Sequence, residues 1–132
     1  MQLELAKAKS LPFVVIHCVR AYPECISLIK DSGCKGHLVF HDFGSKQEVA
    51  KQVLTLEKSF FSIGQALERS AFVEQSLPHL PLDRLILETD DKESLSINDR
   101  YRQLSQALNR PLEEISTTLH KNAQVILPPG VL

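Results

Sequence analysis

The stretch Leu85-Ile86-Leu87-Glu88-Thr89-Asp90 is a short apolar run that ends abruptly in two carboxylates. An apolar run of this length is typical of a strand that is buried on both faces. In a sheet of parallel strands the carboxyl ends lie on one rim, and binding sites form there. The stretch therefore predicts a parallel strand that carries acidic side chains at a functional rim.

Two other places in the chain repeat this pattern. The run Phe13–Ile16 leads into His17, and the run His37–Phe40 leads into His41. Imidazole and carboxylate groups are ligands for zinc, manganese or magnesium-type ions. A single histidine at a strand end is more often a hydrogen-bonded structural residue. Because the pattern occurs three times, we expect His17, His41 and Asp90 to meet on the rim as a metal site.

The composition indicates one ordinary globular domain. The chain has 132 residues, of which 43% are hydrophobic and 23% are charged, with a net charge of -1. That length fits one domain, and that charge creates no strong field toward nucleic acid or an anionic membrane. The longest apolar run, residues 11–16, contains Pro12 and is too short to cross a membrane.

The first residues of the chain and its three cysteines both indicate a cellular location. The first seven residues are charged and helix-forming, unlike a signal peptide. Cys18, Cys25 and Cys34 form no Cys-x-x-Cys pair, and an odd count without secretory features indicates reduced thiols. We predict a cytoplasmic protein with no membrane contact.

Helical segments separate the apolar runs. Strands are predicted over residues 13–16, 37–40, 60–64 and 85–87, with amphipathic helices before, between and after them, including a weak one over 68–77. Strands that alternate with helices predict parallel βαβ units and an α/β fold. The chain has no glycine-rich phosphate-binding motif, which disfavours a nucleotide-binding doubly wound sheet.

Several helix boundaries and faces can be predicted from local signals. Pro23 fits a first helical turn and Gly33 fits a helix end. Two Ser-x-x-acidic patterns, at 45–48 and 96–99, predict capping boxes. The residues expected to face the core recur at helical spacing: Ile26, Ile29, Val49, Val53, Leu56, Ile97, Tyr101, Leu104, Leu108, Leu112, Ile115, Leu119 and Ala123.

Other polar residues rank below the three ligands. Arg20, just beyond the first strand, is a candidate for binding a substrate phosphate, although a plain surface charge is an equal interpretation. Glu88 shares the face of Asp90 in a strand, so it lines the site or pairs with a basic group. Asp42 and Asp91 each follow a predicted ligand and either support it or are solvated. The remaining histidines are interpreted as structural or solvent-exposed: His37, His79 and His120.

The chain resembles the TatD family of metal-dependent deoxyribonucleases, within the amidohydrolase-like barrels. The resemblance runs in order and at the right spacing over nearly the whole chain. The matching runs are Gln2-Leu3-Glu4-Leu5-Ala6, Pro12 through Ile16-His17-Cys18, Val39-Phe40-His41 with Phe43, Phe61-Ser62-Ile63-Gly64, Leu85 through Leu87-Glu88-Thr89-Asp90, and Lys121-Asn122-Ala123.

The resemblance implies the carboxyl-terminal half of a TIM (β/α)8 barrel: a single hydrolase domain over residues 1–132, truncated at its amino terminus. It implies that the complete enzyme cleaves phosphodiester bonds in DNA with a metal-activated water. His17 and His41 match two metal-ligand histidines. Asp90 matches a last-strand aspartate that binds metal and takes the proton of the attacking water. The implied cofactor is a divalent ion (zinc, manganese or magnesium), with one ion at most in this half.

The chain also departs from the family pattern. It lacks the opening strand with a His-x-His pair and the later strand that supplies a bridging glutamate; Asp42 stands where cysteine is common, and Asp91 where many members continue Ala-Pro. Because a complete barrel has about 250 residues, three hypotheses stay open. The chain is one part of a nuclease that needs a separate amino-terminal half, a non-catalytic remnant that self-associates into a pseudo-barrel, or an α/β binding module whose His and Asp residues are structural.

Overall fold

The computed structural model describes residues 2–90 and 94–131. Helices and strands alternate through these residues, with short 3-10 turns at Gln65–Glu68, Leu77–His79 and Leu82–Arg84. The helices are α1 (Gln2–Ala8), α2 (Tyr22–Ser32), α3 (Gln47–Leu54), α4 (Ser70–Gln75), α5 (Ile97–Leu108) and α6 (Leu112–Ile126). The strands are β1 (Phe13–Ile16), β2 (His37–Phe40), β3 (Ser59–Ile63) and β4 (Leu85–Leu87).

The four strands form one parallel sheet in the order β1-β2-β3-β4. Val39 pairs with Val15 on one side and with Phe60 on the other, and Ser62 pairs with Ile86. Parallel neighbours need a crossover connection, and the intervening helices supply it. The predicted α/β fold with four parallel strands is therefore confirmed, and β1 and β4 are the edges of the described sheet.

Helices cover one face of the sheet and bury the main core there. Phe40 and Phe61 from the strands belong to the same buried cluster as Ile29 of α2, Val53 of α3 and Leu119 of α6. Buried apolar surface contributes roughly 25 cal/mol per Å². This layer of sheet and helices is therefore the main source of the stability of the fold.

A smaller cluster lies on the other face of the sheet. Val39, Phe60 and Ile126 are buried there, with Phe13 and Ile86 packed against them. Successive strand residues point to opposite faces, so this face is distinct from the one that the helices cover. Ile126, at the end of α6, brings the last helix across to it.

β1 is less covered than its apolar sequence predicts. Val15 is 54% exposed, and the other β1 residues are only partly buried. The prediction that this strand is covered on both faces is wrong. An edge strand lacks a neighbour on one side, and its run of apolar residues does not reveal that absence.

The two predicted capping boxes have different outcomes. In α5 the box is present, because Ser96 and Asp99 each accept from the backbone N–H of the other. In α3 it is wrong, because the helix begins at Gln47 with Lys46 as its N-cap and no side-chain cap bond. Glu48 is then the second helical residue rather than the third, and it is out of register for the box.

The predicted core-facing residues of the helices are at least partly buried, except at the first residue of two helices. Ile97 and Leu112 are 42% and 44% exposed, because each is the first residue of its helix and precedes the packed face. β3 begins and ends one residue earlier than predicted, and α4 occupies only the middle of its predicted segment. No helix in residues 2–90 and 94–131 is both long and apolar enough to cross a membrane.

Candidate metal centre

The predicted ligands lie together at the carboxyl ends of the strands. His17 follows β1, His41 follows β2, and Asp90 follows β4 after two intervening residues. The rings of His17 and His41 are tilted, with centroids 5.4 Å apart. Nε2 of His41 is 4.0 Å from Oδ1 of Asp90. The three side chains thus share one rim with His41 in the middle, and their role as metal ligands stays a prediction.

Gly64 leaves open the space between the ends of β2 and β4. It follows β3, the strand that separates them. A Cβ atom on Gly64 would lie 2.9 Å from Cγ of Glu88 and 3.4 Å from Oδ1 of Asp42. The first of these distances is shorter than real Cβ contacts, so a side chain here would displace Glu88. Glycine allows this close approach, so that acidic groups beyond β4 reach across to His41.

Glu88 holds the His41 ring in place. Its Oε2 atom lies 3.0 Å from Nδ1 of His41 and accepts from the backbone N–H of Asp42 at 3.2 Å. The hydroxyl of Ser62 donates to the same oxygen. A carboxylate beside Nδ1 favours the tautomer with its proton there, which leaves the lone pair of Nε2 directed at Asp90 and the rim. Glu88 thus pairs with a basic group, as one of its two predicted roles requires, and that group is the candidate ligand His41.

The backbone turns sharply as it leaves the strands at this rim. Arg20, Asp42 and Asp90 have φ values of 62°, 44° and 54°, in the left-handed region that side chains rarely adopt. Aspartate tolerates this conformation better than most residues. Strained backbone of this kind clusters at functional sites, so its occurrence at three strand ends agrees with a site at the rim.

One pair of donors at the rim, Nε2 of His41 and Oδ1 of Asp90, fits a divalent cation in chemistry and spacing. Two donors that each bind an ion at about 2.0–2.2 Å can be up to about 4.4 Å apart, which accommodates the distance from His41 to Asp90. Oε1 of Glu88 and Oδ1 of Asp42 are buried with no hydrogen-bond partner, so each offers a free acceptor atom at the rim. Among the described residues, however, no group of three or more His, Cys, Asp or Glu side chains is arranged to hold an ion. His17 therefore does not complete a three-ligand set within the described chain.

Tyr22 and Cys25 also lie near the rim, but both keep their protons at neutral pH and do not compete as metal ligands. Tyr22 packs against Phe40 and Phe43, and burial raises its pKa to about 12. Burial also raises the pKa of Cys25 to about 11, with the neighbouring Cys18 as a further cause. The thiolate is the metal-binding form of cysteine. Cys25 is therefore protonated and a poor ligand at neutral pH.

The remaining candidates lie where their types predict. Arg20 is exposed on the loop after His17, so it is accessible to a ligand at the rim. His37 starts β2 at the opposite rim, where Nδ1 is 3.3 Å from the carbonyl oxygen of Pro12, in agreement with a structural role. His79 and His120 are exposed, as predicted. Asp91, which follows Asp90, lies outside the described residues.

Sequence reasoning missed the contributions of Ser62 and Gly64. Both lie at the end of β3, which supplies no predicted ligand. A signal was available, because a serine and a glycine follow two phenylalanines in a run that is otherwise apolar. Glycine at a strand end indicates a close approach of another group. The residue that makes this approach, Glu88, is distant in sequence and only the fold brings it there.

The chain matches the family model described as TatD related DNase over residues 1–128. It is similar to the human protein named Deoxyribonuclease TATDN3, with 27% identity over 137 residues. That alignment covers 96% of this chain but 49% of the human protein. The chain thus spans about half the length of this curated relative.

Solved structures show the same fold at lower identity. The TatD homologue YJJV from Escherichia coli K12 superposes with a TM-score of 0.79 at 23% identity, and a TatD family hydrolase from Entamoeba histolytica with 0.82 at 18%. Each match covers 96% of this chain and 54% of the other. The predicted partial TIM barrel is therefore confirmed, with four parallel strands that correspond to about half of these chains. By its match over residues 1–128, the chain belongs to the family of TatD-related deoxyribonucleases.

Proposed function

We propose that this chain carries the metal site of a hydrolase that cleaves phosphodiester bonds in DNA. The observation that supports the proposal is the convergence of His17, His41 and Asp90 on one rim of a parallel sheet. Membership of a family described as TatD-related DNases supplies the reaction class, and the human relative is named a deoxyribonuclease.

The proposed roles follow from what each side chain offers. Nε2 of His41 and a carboxylate oxygen of Asp90 would be the nitrogen and oxygen donors to a zinc or manganese ion, and His17 would be a further nitrogen donor. Glu88 is a positioning residue, since it contacts His41 at Nδ1 and leaves Nε2 available. As an anionic ligand, Asp90 would offset part of the charge of the cation.

A bound divalent ion would supply Lewis acidity and a water of lowered pKa. Asp90 is the proposed catalytic residue, because its second carboxylate oxygen can accept the proton of the attacking water. Arg20 is exposed beyond β1 and can donate to a phosphate oxygen of the substrate in a fork geometry. The net charge of -1 gives little general attraction for DNA, so the ion and Arg20 would provide local attraction.

Two experiments test this function. Calorimetric titration of the chelated and dialysed chain with zinc and with manganese should show binding that His41→Ala abolishes and that His120→Ala, a matched histidine on the exposed face of α6, leaves unchanged. Cleavage of plasmid DNA with zinc, manganese or magnesium should require Asp90 in the same preparations. Binding with equal affinity in the His41→Ala and wild-type chains would overturn the site.

Activity of the isolated chain is a separate matter, because it spans about half of its relative. The cleavage assay is therefore repeated after addition of a separately produced amino-terminal half-barrel from a TatD-related protein. Metal-dependent cleavage that appears only in the mixture would support the split-enzyme hypothesis. Metal binding without cleavage in either preparation would support the second candidate, a non-catalytic metal-binding remnant.

A further inference from the structure

Both edges of the described sheet are open to further pairing. β1 and β4 run parallel to each other at opposite edges of the order β1-β2-β3-β4. Edge strands present unpaired backbone groups that another chain can bind. β1 has the sequence Phe-Val-Val-Ile, with none of the lysine or proline residues that commonly protect such edges.

The surface beside β1 forms a groove lined by both apolar and polar side chains, the latter including Glu4 and Asp31. Val15 on the strand and Leu28 on α2 line this groove and are 54% and 65% exposed, and its volume is about 810 Å³. Isolated exposed apolar residues are ordinary, but these two share one groove with an open strand edge, where a partner strand can cover them. The groove therefore supplies apolar contacts next to the backbone groups of the edge.

The two edges carry opposite charges at the rim. The end of β4 leads into the carboxylates Glu88 and Asp90, whereas the end of β1 leads into His17 and the guanidinium of Arg20. Like edges would bring equal charges together. An unlike pairing of β4 with β1 would bring acid next to base, so charge favours a seam between β4 of one copy and β1 of the other.

We propose that a second copy of this chain occupies both edges. A two-fold axis parallel to the strands would place β4 of each copy against β1 of the other, with all strands still parallel. Two sheets of four strands would then close into an eight-stranded barrel. A barrel of this size is narrow enough for side chains to fill its interior. The arrangement is closed and symmetric, which is the usual form of a soluble homodimer.

This dimer would complete the metal site across each seam, and in that respect the inference rests on the proposed function. Within one chain His17 and Asp90 follow opposite edges of the sheet and both approach His41, at 5.4 Å between ring centroids and at 4.0 Å from Nε2 to Oδ1, yet no three-ligand group forms among the described residues. At a seam the ends of β4 and of the partner copy's β1 would be neighbours, as β1 and β2 are in one chain, where His17 and His41 lie 5.4 Å apart. His41 and Asp90 of one copy would thus gain His17 of the second copy as the third ligand.

The seam is tested first without metal, by sedimentation equilibrium of the full chain in a chelator. The expected mass is twice that of the 14.8 kDa chain. Val15→Lys places a charge at the seam and should halve the mass. Val131→Lys, the same change at an exposed residue next to Gly130, where there is open space, should leave the dimer intact. A monomeric wild-type chain, or a Val15→Lys chain that is folded by circular dichroism and still dimeric, would overturn the seam.

The shared site is tested by mixing two variants that each lose one ligand. His17→Ala and Asp90→Ala chains should each fail to bind zinc alone. After exchange of subunits, a mixed dimer has one seam with both ligands, so the mixture should regain zinc binding. If the ligands all came from one chain, mixing would restore nothing, and that outcome would overturn the shared site.

The two measurements separate this inference from the proposed function. If the wild-type chain forms a dimer that depends on Val15 but binds no zinc, the proposed metal site and the sharing of its ligands are both refuted. The dimer seam is supported by that result. A monomer that binds zinc through His41 would end the dimer and leave the proposed function intact. A monomer that gains mass only with an amino-terminal half-barrel would show that a different partner fills these edges.

Discussion

Glu88 shows how a single carboxylate oxygen organises the rim. Its Oε2 contacts the ring of His41, the backbone N–H of Asp42 and the hydroxyl of Ser62. Contacts of this kind at a carboxylate are stronger than those between neutral groups. Because Oε2 already meets three groups, rotation of Glu88 would break several bonds at once. The orientation of His41 is therefore fixed before any cation binds.

Replacement of Glu88 by glutamine is expected to weaken metal binding about 10–100-fold, the usual cost of losing the support of a ligand histidine. Glutamine keeps the size of Glu88 but offers one acceptor instead of two and removes the charge that favours the proton on Nδ1 of His41. The measurement is zinc affinity by calorimetry. Glu74→Gln, on the exposed side of α4, is the control and should retain wild-type affinity. Equal affinities in the two variants would refute the positioning role.

Gly64→Ala is expected to lower zinc affinity through the same contact. Its new Cβ would lie 2.9 Å from Cγ of Glu88, so Glu88 must shift and release His41. Because both substitutions act on one bond, the double variant Gly64→Ala with Glu88→Gln should lose less affinity than the product of the two single losses. Independent, fully multiplicative losses would show that Gly64 acts elsewhere, such as on the packing of β3.

At the scale of the helices, the start of α5 depends on a local box of hydrogen bonds. Ser96 accepts from the backbone N–H of Asp99 at 3.2 Å, and Asp99 accepts from that of Ser96 at 2.9 Å. Each bond satisfies a donor that the helix itself leaves unpaired. α3 lacks such a box, and its preceding segment holds Phe43, which is fully buried. Burial of Phe43 outside the helix agrees with the later start of α3.

Ser96→Ala should destabilise the fold by about 1 kcal/mol, a central value for loss of an N-cap. The box also predicts a pH dependence, because hydrogen bonds from Ser96 lower the pKa of Asp99. A carboxyl with a depressed folded pKa stabilises the fold above its unfolded pKa, near 3.9, and this contribution is lost as pH falls through the folded pKa. Urea denaturation between pH 6 and acid should therefore show a smaller loss of stability in Ser96→Ala than in wild type. A parallel loss in both chains would contradict the role of the box.

Asn122 ties the last helix to the sheet. Its side-chain amide donates to the backbone oxygens of Leu82 at 2.9 Å and Leu85 at 2.7 Å, and the residue is buried. Asn122→Ala removes both donors and should lower the free energy of unfolding by about 1–3 kcal/mol. Gln124→Ala, at an exposed position of the same helix, is the control and should change stability by less than about 0.5 kcal/mol. Denaturant unfolding measures both, and equal effects would contradict the anchoring role.

The elements differ in how much of them local sequence specifies. β1, β2 and β4 begin and end where predicted, because apolar strand cores between turn residues are a local signal. Coverage of β1 was wrongly predicted, because an apolar run looks the same whether or not a neighbouring strand exists. The candidate ligands at the rim were predicted because they follow strand ends. The role of Gly64 and the contact of Glu88 with His41 instead depend on contacts across the sheet. Periodicity along one segment carries no information on those contacts.

For the whole molecule, the predicted ligands tie together elements that are far apart in the chain. His17 and Asp90 follow the two edges of the sheet, and His41 lies between them. A cation bound at the rim would link β1, β2 and β4, which local unfolding would otherwise separate. Binding should therefore protect the complete sheet, rather than only the loops that contact the ion, whether the ligands come from one copy or are shared between two.

Zinc at 100 times its dissociation constant is expected to stabilise the fold by about 2.7 kcal/mol, if the ion binds only the folded state. At roughly 2–8 °C per kcal/mol for domains near this size, the unfolding temperature should rise by about 5–20 °C and return after chelation. Amide hydrogen exchange should slow in all four strands, since the ligands follow both edges and the centre of the sheet. His41→Ala should lose the shift, whereas His37→Ala at the opposite rim should retain it. Protection confined to the residues around His41 and Asp90 would show that the ion orders a loop without linking the strands.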